Sequence, residues 1–301
     1  MRALKTLFAD QTYLGVLAIL LWSSTVAFSR RLTGELGTWT AAGLIYTSAG
    51  LLACLLAALT PGRLRAMLRL PRLYLWGCGA LFVVYMVALY LAIGSAANPA
   101  QVLVVGLINY LWPGLSLVFA VPLLGSRARP LLPVGILVSL GGVGLASWQP
   151  GLPLAEVFSW AALGPYLLAL LAAVCWGLYS TLSRRWAGEA SPGAVPFFLL
   201  ASGLVLGLGR AFNPEVSSWS IGTGLELAYM IVFPAMLAYS FWDSAVRRGR
   251  ILLIATLSYF IPLLSTGITV LVLGAPAPGT LWLAAALVFG GALLCKQSIV
   301  D

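Results

Sequence analysis

Apolar stretches close to the roughly 20 residues needed to cross a bilayer recur from one end of this chain to the other. Ten are legible, at about 13–29, 38–60, 73–96, 99–124, 131–149, 163–183, 193–212, 221–245, 251–274 and 279–296. They occupy so much of the 301 residues that nothing is left for a soluble domain. Only 8% of the residues are charged and 61% are hydrophobic, where a soluble domain carries roughly 25% charged residues. That is too little charge to cover a water-facing surface. The expected fold class is all-α and integral to the membrane, with ten transmembrane helices.

The basic residues orient such a chain. With the N-terminus in the cytoplasm, the inner connections hold Arg2, Lys5, Arg63, Arg65, Arg69, Arg72, Arg127, Arg129, Arg184, Arg185, Arg247, Arg248, Arg250 and Lys296. The outer ones hold Arg30, Arg31 and Arg210. Basic residues gather on the cytoplasmic side, so both termini are expected there, in a bacterial inner membrane. The net charge of +9 is therefore a topology signal. Nucleic-acid binding would need these charges collected on one exposed domain. Arg2 and Lys5 look like the start of a signal peptide, but no small-residue cleavage site follows, and the first span has a counterpart later in the chain. It is read as retained. Cys54, Cys78, Cys175 and Cys295 fall in separate spans, without disulfide or zinc spacing, and read as packing residues.

The chain repeats itself. Trp22 and Trp176 each lie seven residues before an identical SRR, at an offset of 154. NYLWPGLS (109–116) pairs with SYFIPLLS (258–265), and LGGVGLA (140–146) with FGGALLC (289–295), both at 149; Gly50 and Gly203 fit at 153. These ordered matches imply two five-helix units, 1–150 and 151–301. Five is odd, so the second unit must enter the membrane from the opposite side. Inverted repeats of this kind are typical of secondary transporters, whose sites form near the midplane.

Two motifs supply candidate site residues. Asn109 lies roughly 16 Å along its helix from Asn98, at 1.5 Å per residue, near the centre of a hydrocarbon core about 30 Å thick. Proline lacks an N–H and clashes with the carbonyl four residues earlier. Pro113 and Pro262 should therefore kink their helices and loosen carbonyls at Asn109 and Ser258, side chains that themselves form hydrogen bonds. The alternative is that both are kinks glued to neighbouring helices.

Aromatic residues extend the candidate set: Trp22, Tyr46, Tyr85, Tyr110, Trp176, Tyr179, Tyr239, Trp242 and Tyr259, with Ser23 and Trp112 beside them. Spacings of three put Trp176 with Tyr179, and Tyr239 with Trp242, on common helix faces. Rings of this kind can wall an apolar cavity that still offers phenol and indole donors, or simply pack between helices. Trp39, Trp76, Trp148, Trp160, Trp186, Trp219 and Trp282 fall near span ends, where interfacial tryptophans gather.

The chain has no His, which excludes imidazole metal sites and His-based acid–base catalysis. Of its acids, Asp243 alone is read as near a span, four residues before Arg247, a spacing that favours a local ion pair. Proton-driven antiporters carry ionisable groups deep in the membrane, and none is read at mid-depth. An integral-membrane transferase would need His or clustered acids at one membrane face. No catalytic residue, cofactor or metal is expected.

LLWSS, YTSAGLL, NYLWPGLS, CWGLY and SYFIPLLS, in this order across ten spans, resemble the drug/metabolite transporter superfamily. The EamA family, and its bacterial aromatic amino acid exporters, are the nearest likeness. The resemblance implies a central cavity between the two halves and outward movement of aromatic amino acids. It also implies a path lined from the first, third, fourth, sixth, eighth and ninth spans. On this chain it points to Trp22, Tyr85, Asn109, Tyr110, Trp176, Tyr179, Tyr239, Trp242 and Tyr259; Tyr46 is added from the second span. The smaller multidrug relatives use a Glu in their first helix, which is missing here, so the expectation is facilitated flux or exchange. A broad exporter of amphipathic metabolites or drugs is the alternative, and a non-transporting receptor a third reading. The oligomeric state stays open between a monomer and a dimer with its seam along the glycine motifs.

Overall fold

The computed structural model describes residues 11–147, 159–187, 192–273 and 280–300. Arg2, Lys5 and Trp148 lie outside them. The described residues are almost entirely helical. In chain order the helices are α1 (Thr12–Ser23), α2 (Thr25–Leu36), α3 (Thr38–Ala58), α4 (Arg63–Leu68) and α5 (Gly79–Ser95). Then come α6 (Pro99–Asn109), α7 (Trp112–Leu124), α8 (Leu132–Ser147), α9 (Leu163–Ala187) and α10 (Val195–Phe212). The last five are α11 (Ile221–Met230), α12 (Ala238–Arg248), α13 (Ile251–Leu257), α14 (Ile261–Leu273) and α15 (Thr280–Ser298). Six stretches are long and apolar enough to cross a membrane: Thr38–Ala58, Leu73–Ser95, Val104–Leu124, Leu163–Ala187, Val195–Phe212 and Ile221–Arg248. Four shorter apolar helices accompany them. A two-residue antiparallel ladder joins Arg127–Ala128 to Ile299–Val300.

Local chemistry sets the boundaries. Asn98 caps α6 by accepting the Gln101 N–H at 2.9 Å, while Gln101 Oε1 accepts the Ala97 N–H at 2.9 Å, leaving two otherwise orphaned donors satisfied. Helical conformation runs past the first expected span to Leu36, where Gly37 turns at φ 88°, a conformation glycine alone adopts freely. Pro113 and Pro262 interrupt their helices as their chemistry requires. α6 stops at Asn109 and α7 begins at Trp112, whereas α13 passes into a 3₁₀ turn at Ser258–Phe260 before α14. Three further irregularities were not anticipated: a break at Ser24 and π-helical turns at Leu73–Cys78 and Ile231–Leu237, the latter holding Pro234.

The packing forms two compact units. One comprises Met1–Val87 with Leu182–Ile251, the other Ala88–Thr181 with Leu252–Asp301. In the first, α3 and α10 run antiparallel in close contact: Gly43 meets Gly207, Gly203 meets Thr47, and Gly50 meets Leu200. A Cβ at Gly43, Gly50 or Gly203 would strike backbone of the facing helix. In the second unit, α8 and α15 do the same, with Gly135 against Cys295, Gly142 against Val288 and Gly291 against Ser139. Small residues let helix backbones approach this closely. The contacts are reciprocal: Gly142 meets Val288 as Gly291 meets Ser139, and these are counterparts at the 149-residue offset. Gly142 and Gly291 of the glycine motifs thus serve packing within the chain, whereas a Cβ at Gly141, Gly144 or Gly290 would meet nothing within 4 Å.

Candidate functional site

In the first unit the candidate aromatics converge on Tyr239. Its ring lies 5.1 Å from Trp22, 5.2 Å from Phe82 and 6.2 Å from Tyr46, each edge-to-face. Such edge-to-face pairs match the ring quadrupoles. Trp242, one turn further along α12, lies 5.3 Å from Trp22. The Trp22 indole donates to the Pro234 carbonyl at 3.2 Å, tying α1 to the π-turn. Ser24, at the break in helix one, donates to the Leu21 carbonyl at 2.8 Å. The Tyr229 hydroxyl, 2.7 Å away, must therefore donate to Ser24. Tyr85 is buried to the same degree as Tyr46 and Tyr239.

The second unit holds the two proline breaks. Asn109 Oδ1 is buried and has no hydrogen-bond partner among the described residues. Ser258 is different: fully buried, it donates to the Ile254 carbonyl at 2.8 Å, within its own helix. Tyr110 packs against a core of Val143, Tyr259 and Val288. The Tyr259 hydroxyl sits on Gly114, where a Cβ would come within 2.7 Å of it, so the two breaks touch through this pair. Trp176 stacks on Tyr179 at 4.9 Å and meets Trp112 edge-on at 6.3 Å.

The first unit also holds charged clusters. Asp243 pairs with Arg247 at 2.9 Å, both almost fully buried. Asp243 also accepts the Tyr74 hydroxyl at 2.8 Å, and that oxygen accepts the Ala194 N–H at 3.1 Å. The expected local ion pair is present, with Tyr74 as a further partner. Glu226 also lies inside the expected 221–245 span, so Asp243 is not alone there, and it pairs with Arg31 at 2.8 Å. At the start of α3, Glu215 accepts the N–H groups of Trp39 and Thr40, each at 2.9 Å, and the Thr40 hydroxyl at 2.8 Å. Burial disfavours its charge, but these donors and Arg210 outweigh that and hold the carboxyl below its usual range. Among the described residues, no three His, Cys, Asp or Glu side chains converge as a metal site would require.

The sequence model of the EamA-like transporter family matches residues 12–148 and again 163–296. This chain belongs to the EamA-like transporter family. Among its relatives is the aromatic amino acid exporter YddG of Salmonella typhimurium, 32% identical over 287 residues, covering 94% of this chain and 96% of that protein. The YddG proteins of Escherichia coli and Ancylobacter novellus are 31% and 34% identical, with the same coverage. A protein of known crystal structure superimposes with a TM-score of 0.79 at 31% identity, over 95% of this chain and 96% of that one.

For an EamA-family chain, the sequence motifs under-counted the contributing residues. Phe82 and Pro234 contact the first cluster, yet neither was a site candidate; Trp112, named beside the candidate set, joins the second. Pro234 was detectable from the same proline argument applied to Pro113. Phe82 carried no such signal, since its contact with Tyr239 spans 157 residues.

Proposed function

We propose that this transporter exports aromatic amino acids and related small amphipathic metabolites across the bacterial inner membrane by alternating access. Its two inverted five-helix repeats, residues 1–150 and 151–301, enclose a central cavity, and both termini are cytoplasmic. The observation carrying the substrate class is the near-full-length likeness to three proteins named aromatic amino acid exporters. The inverted repeat is supported by the double family match and by the antiparallel, reciprocal contacts of α3 with α10 and α8 with α15.

Asn109 carries the site. A buried amide oxygen left unpaired costs roughly 1–3 kcal/mol, and a substrate ammonium supplies the missing donor. The second break, with Ser258, adds a polar counterpart; Trp22, Tyr46, Tyr85, Tyr110, Trp176, Tyr179, Tyr239, Trp242 and Tyr259 hold the ring. Pro113 and Pro262 are the bends at which their helices gate. Both acids described within apolar helices, Glu226 and Asp243, are committed to arginines. Transport is accordingly downhill or by exchange, without an intramembrane proton-coupling carboxylate.

The test is phenylalanine flux from proteoliposomes, comparing wild type with Asn109→Ala, with and without a pH gradient at clamped voltage. Flux independent of the gradient and lost in the folded mutant supports the reading. Collapse of flux with the pH gradient overturns the coupling. Equal competition by unrelated amphiphiles points to a broad metabolite or drug exporter.

A further inference from the structure

The densest basic segment of the chain has no role in the reading above. Arg63, Arg65, Arg69 and Arg72 fall within ten residues between α3 and α5, and all four are exposed. α4 does not hang free: Met67 is 1% and Leu70 7% exposed, so the segment is anchored through its apolar side and turns its arginines outward. No ion pair joins any of the four to another described residue.

Other basic residues of the same unit are committed elsewhere. Arg184 donates to the Gly249 carbonyl, Arg247 to Asp243 and Arg248 to the Ser244 hydroxyl. A topology signal requires only that positive charge be present in a connection. It does not require a folded segment that keeps four guanidinium groups free of ion pairs to the described residues.

The surface around them is shaped as well as charged. Two adjoining recesses, of about 430 and 520 Å³, share Thr60 and are bordered by Arg63 and Pro192 in one and by Arg65 and Leu68 in the other. Exposed apolar side chains interleave with the arginines along the same stretch of chain: Leu59, Leu68, Leu73 and, at 78% exposure, Trp76. Guanidinium groups match phosphate oxygens bidentately. Indole rings settle at the headgroup level.

We propose that the Arg63–Arg72 segment is a binding site for the phosphate headgroup of an anionic phospholipid, whose acyl chains lie against the exposed apolar side chains of the same stretch. Basic clusters beside a transmembrane helix recognise anionic lipids in this way. The occupant is a lipid rather than a free anion because exposed apolar side chains alternate with the arginines between Leu59 and Trp76. The inference rests on membership of a membrane transporter family and not on the transported substrate.

The experiment titrates the purified full-length protein in neutral detergent with dioleoylphosphatidylglycerol or dioleoylphosphatidylcholine, counting bound lipids by native mass spectrometry. Wild type is expected to prefer phosphatidylglycerol by more than about tenfold, at roughly fivefold per arginine engaged. The variant Arg63→Gln/Arg65→Gln/Arg69→Gln/Arg72→Gln should lose that preference, and Arg127→Gln/Arg129→Gln, also exposed but on another connection, should keep it. Arg65→Gln/Arg69→Gln, with an intermediate loss, serves if the quadruple variant is not recovered. Three outcomes overturn the proposal: an unchanged preference in the arginine variants, an equal loss per charge in the Arg127/Arg129 control, or displacement of the lipid by equimolar inorganic phosphate.

Discussion

The two proline breaks of the second unit are copies in sequence and opposites in chemistry. At one, the helix stops at Asn109 and resumes at Trp112, leaving Asn109 Oδ1 buried and unpaired. At the other, a 3₁₀ turn carries the chain through, and Ser258 satisfies itself on Ile254. Side-chain reach explains the difference. A serine hydroxyl is short and readily back-bonds to the carbonyl four residues earlier. An amide oxygen accepts but cannot donate to a carbonyl, so Asn109 Oδ1 has no such local partner. Duplication copied the bend, and the choice of residue decided that the side chain at 109 keeps an open acceptor while the one at 258 does not.

The largest expected effect breaks this comparison directly. Asn109→Ala should lower phenylalanine flux at subsaturating substrate by about tenfold to a hundredfold, the worth of one hydrogen bond to a charged group, roughly 1.5–3 kcal/mol. Ser258→Ala should change it by less than about threefold. Equal losses in the two variants would show that the breaks act alike. Next comes the contact joining them. Gly114→Ala places a Cβ 2.7 Å from the Tyr259 hydroxyl and 2.8 Å from Ile136, and such overpacking costs ~1–3 kcal/mol. Thermal unfolding in detergent should show that loss, and adding Tyr259→Phe should recover ~1 kcal/mol of it. A double mutant no better than Gly114→Ala would place the strain at Ile136 alone. Smaller again is Pro113→Ala, which restores an N–H able to reach the Asn109 carbonyl. Stability should move by less than about 1 kcal/mol, while flux falls several-fold as the bend stiffens.

How far the sequence could anticipate this follows from the range over which each feature acts. The breaks at Pro113 and Pro262 were legible because a missing N–H acts within one helical turn. The Asp243–Arg247 pair was legible because four residues is one turn. Tyr74 was not, since its bond to Asp243 spans 169 residues and leaves no periodic trace. Glu226 stands inside its span in the sequence, but its partner Arg31 lies on α2, beyond the end of the first expected span. The site residues divide similarly. The Tyr239–Trp242 and Trp176–Tyr179 spacings put each pair on one face, but only tertiary packing brings Trp22, Phe82 and Tyr46 to Tyr239. Neither does the repeat in sequence coincide with the packing units, each of which draws segments from both sequence halves. Backbone contacts made through matched glycines cross between copies, and a sequence repeat records only similarity within them.

Neither proline break contains a carboxylate, so acid should affect the molecule elsewhere, and this gives the smallest and cleanest separation. Glu215 caps the start of α3, and its donors hold its carboxyl below the usual range. A depressed carboxylate contributes stability that is fully present above its unfolded value, about 4.3. That contribution is lost as pH falls through the folded value. Wild type should therefore lose thermal stability on acidification below about pH 4, whereas Glu215→Gln, already lacking the charged cap at a cost of ~1 kcal/mol, should lose less. Flux per folded molecule near neutral pH should be the same in both, because the cap lies outside the Asn109 break. A Glu215→Gln variant that keeps its stability but transports poorly would connect the α3 cap to the transport step and undo the separation between the breaks and the ends of the helices.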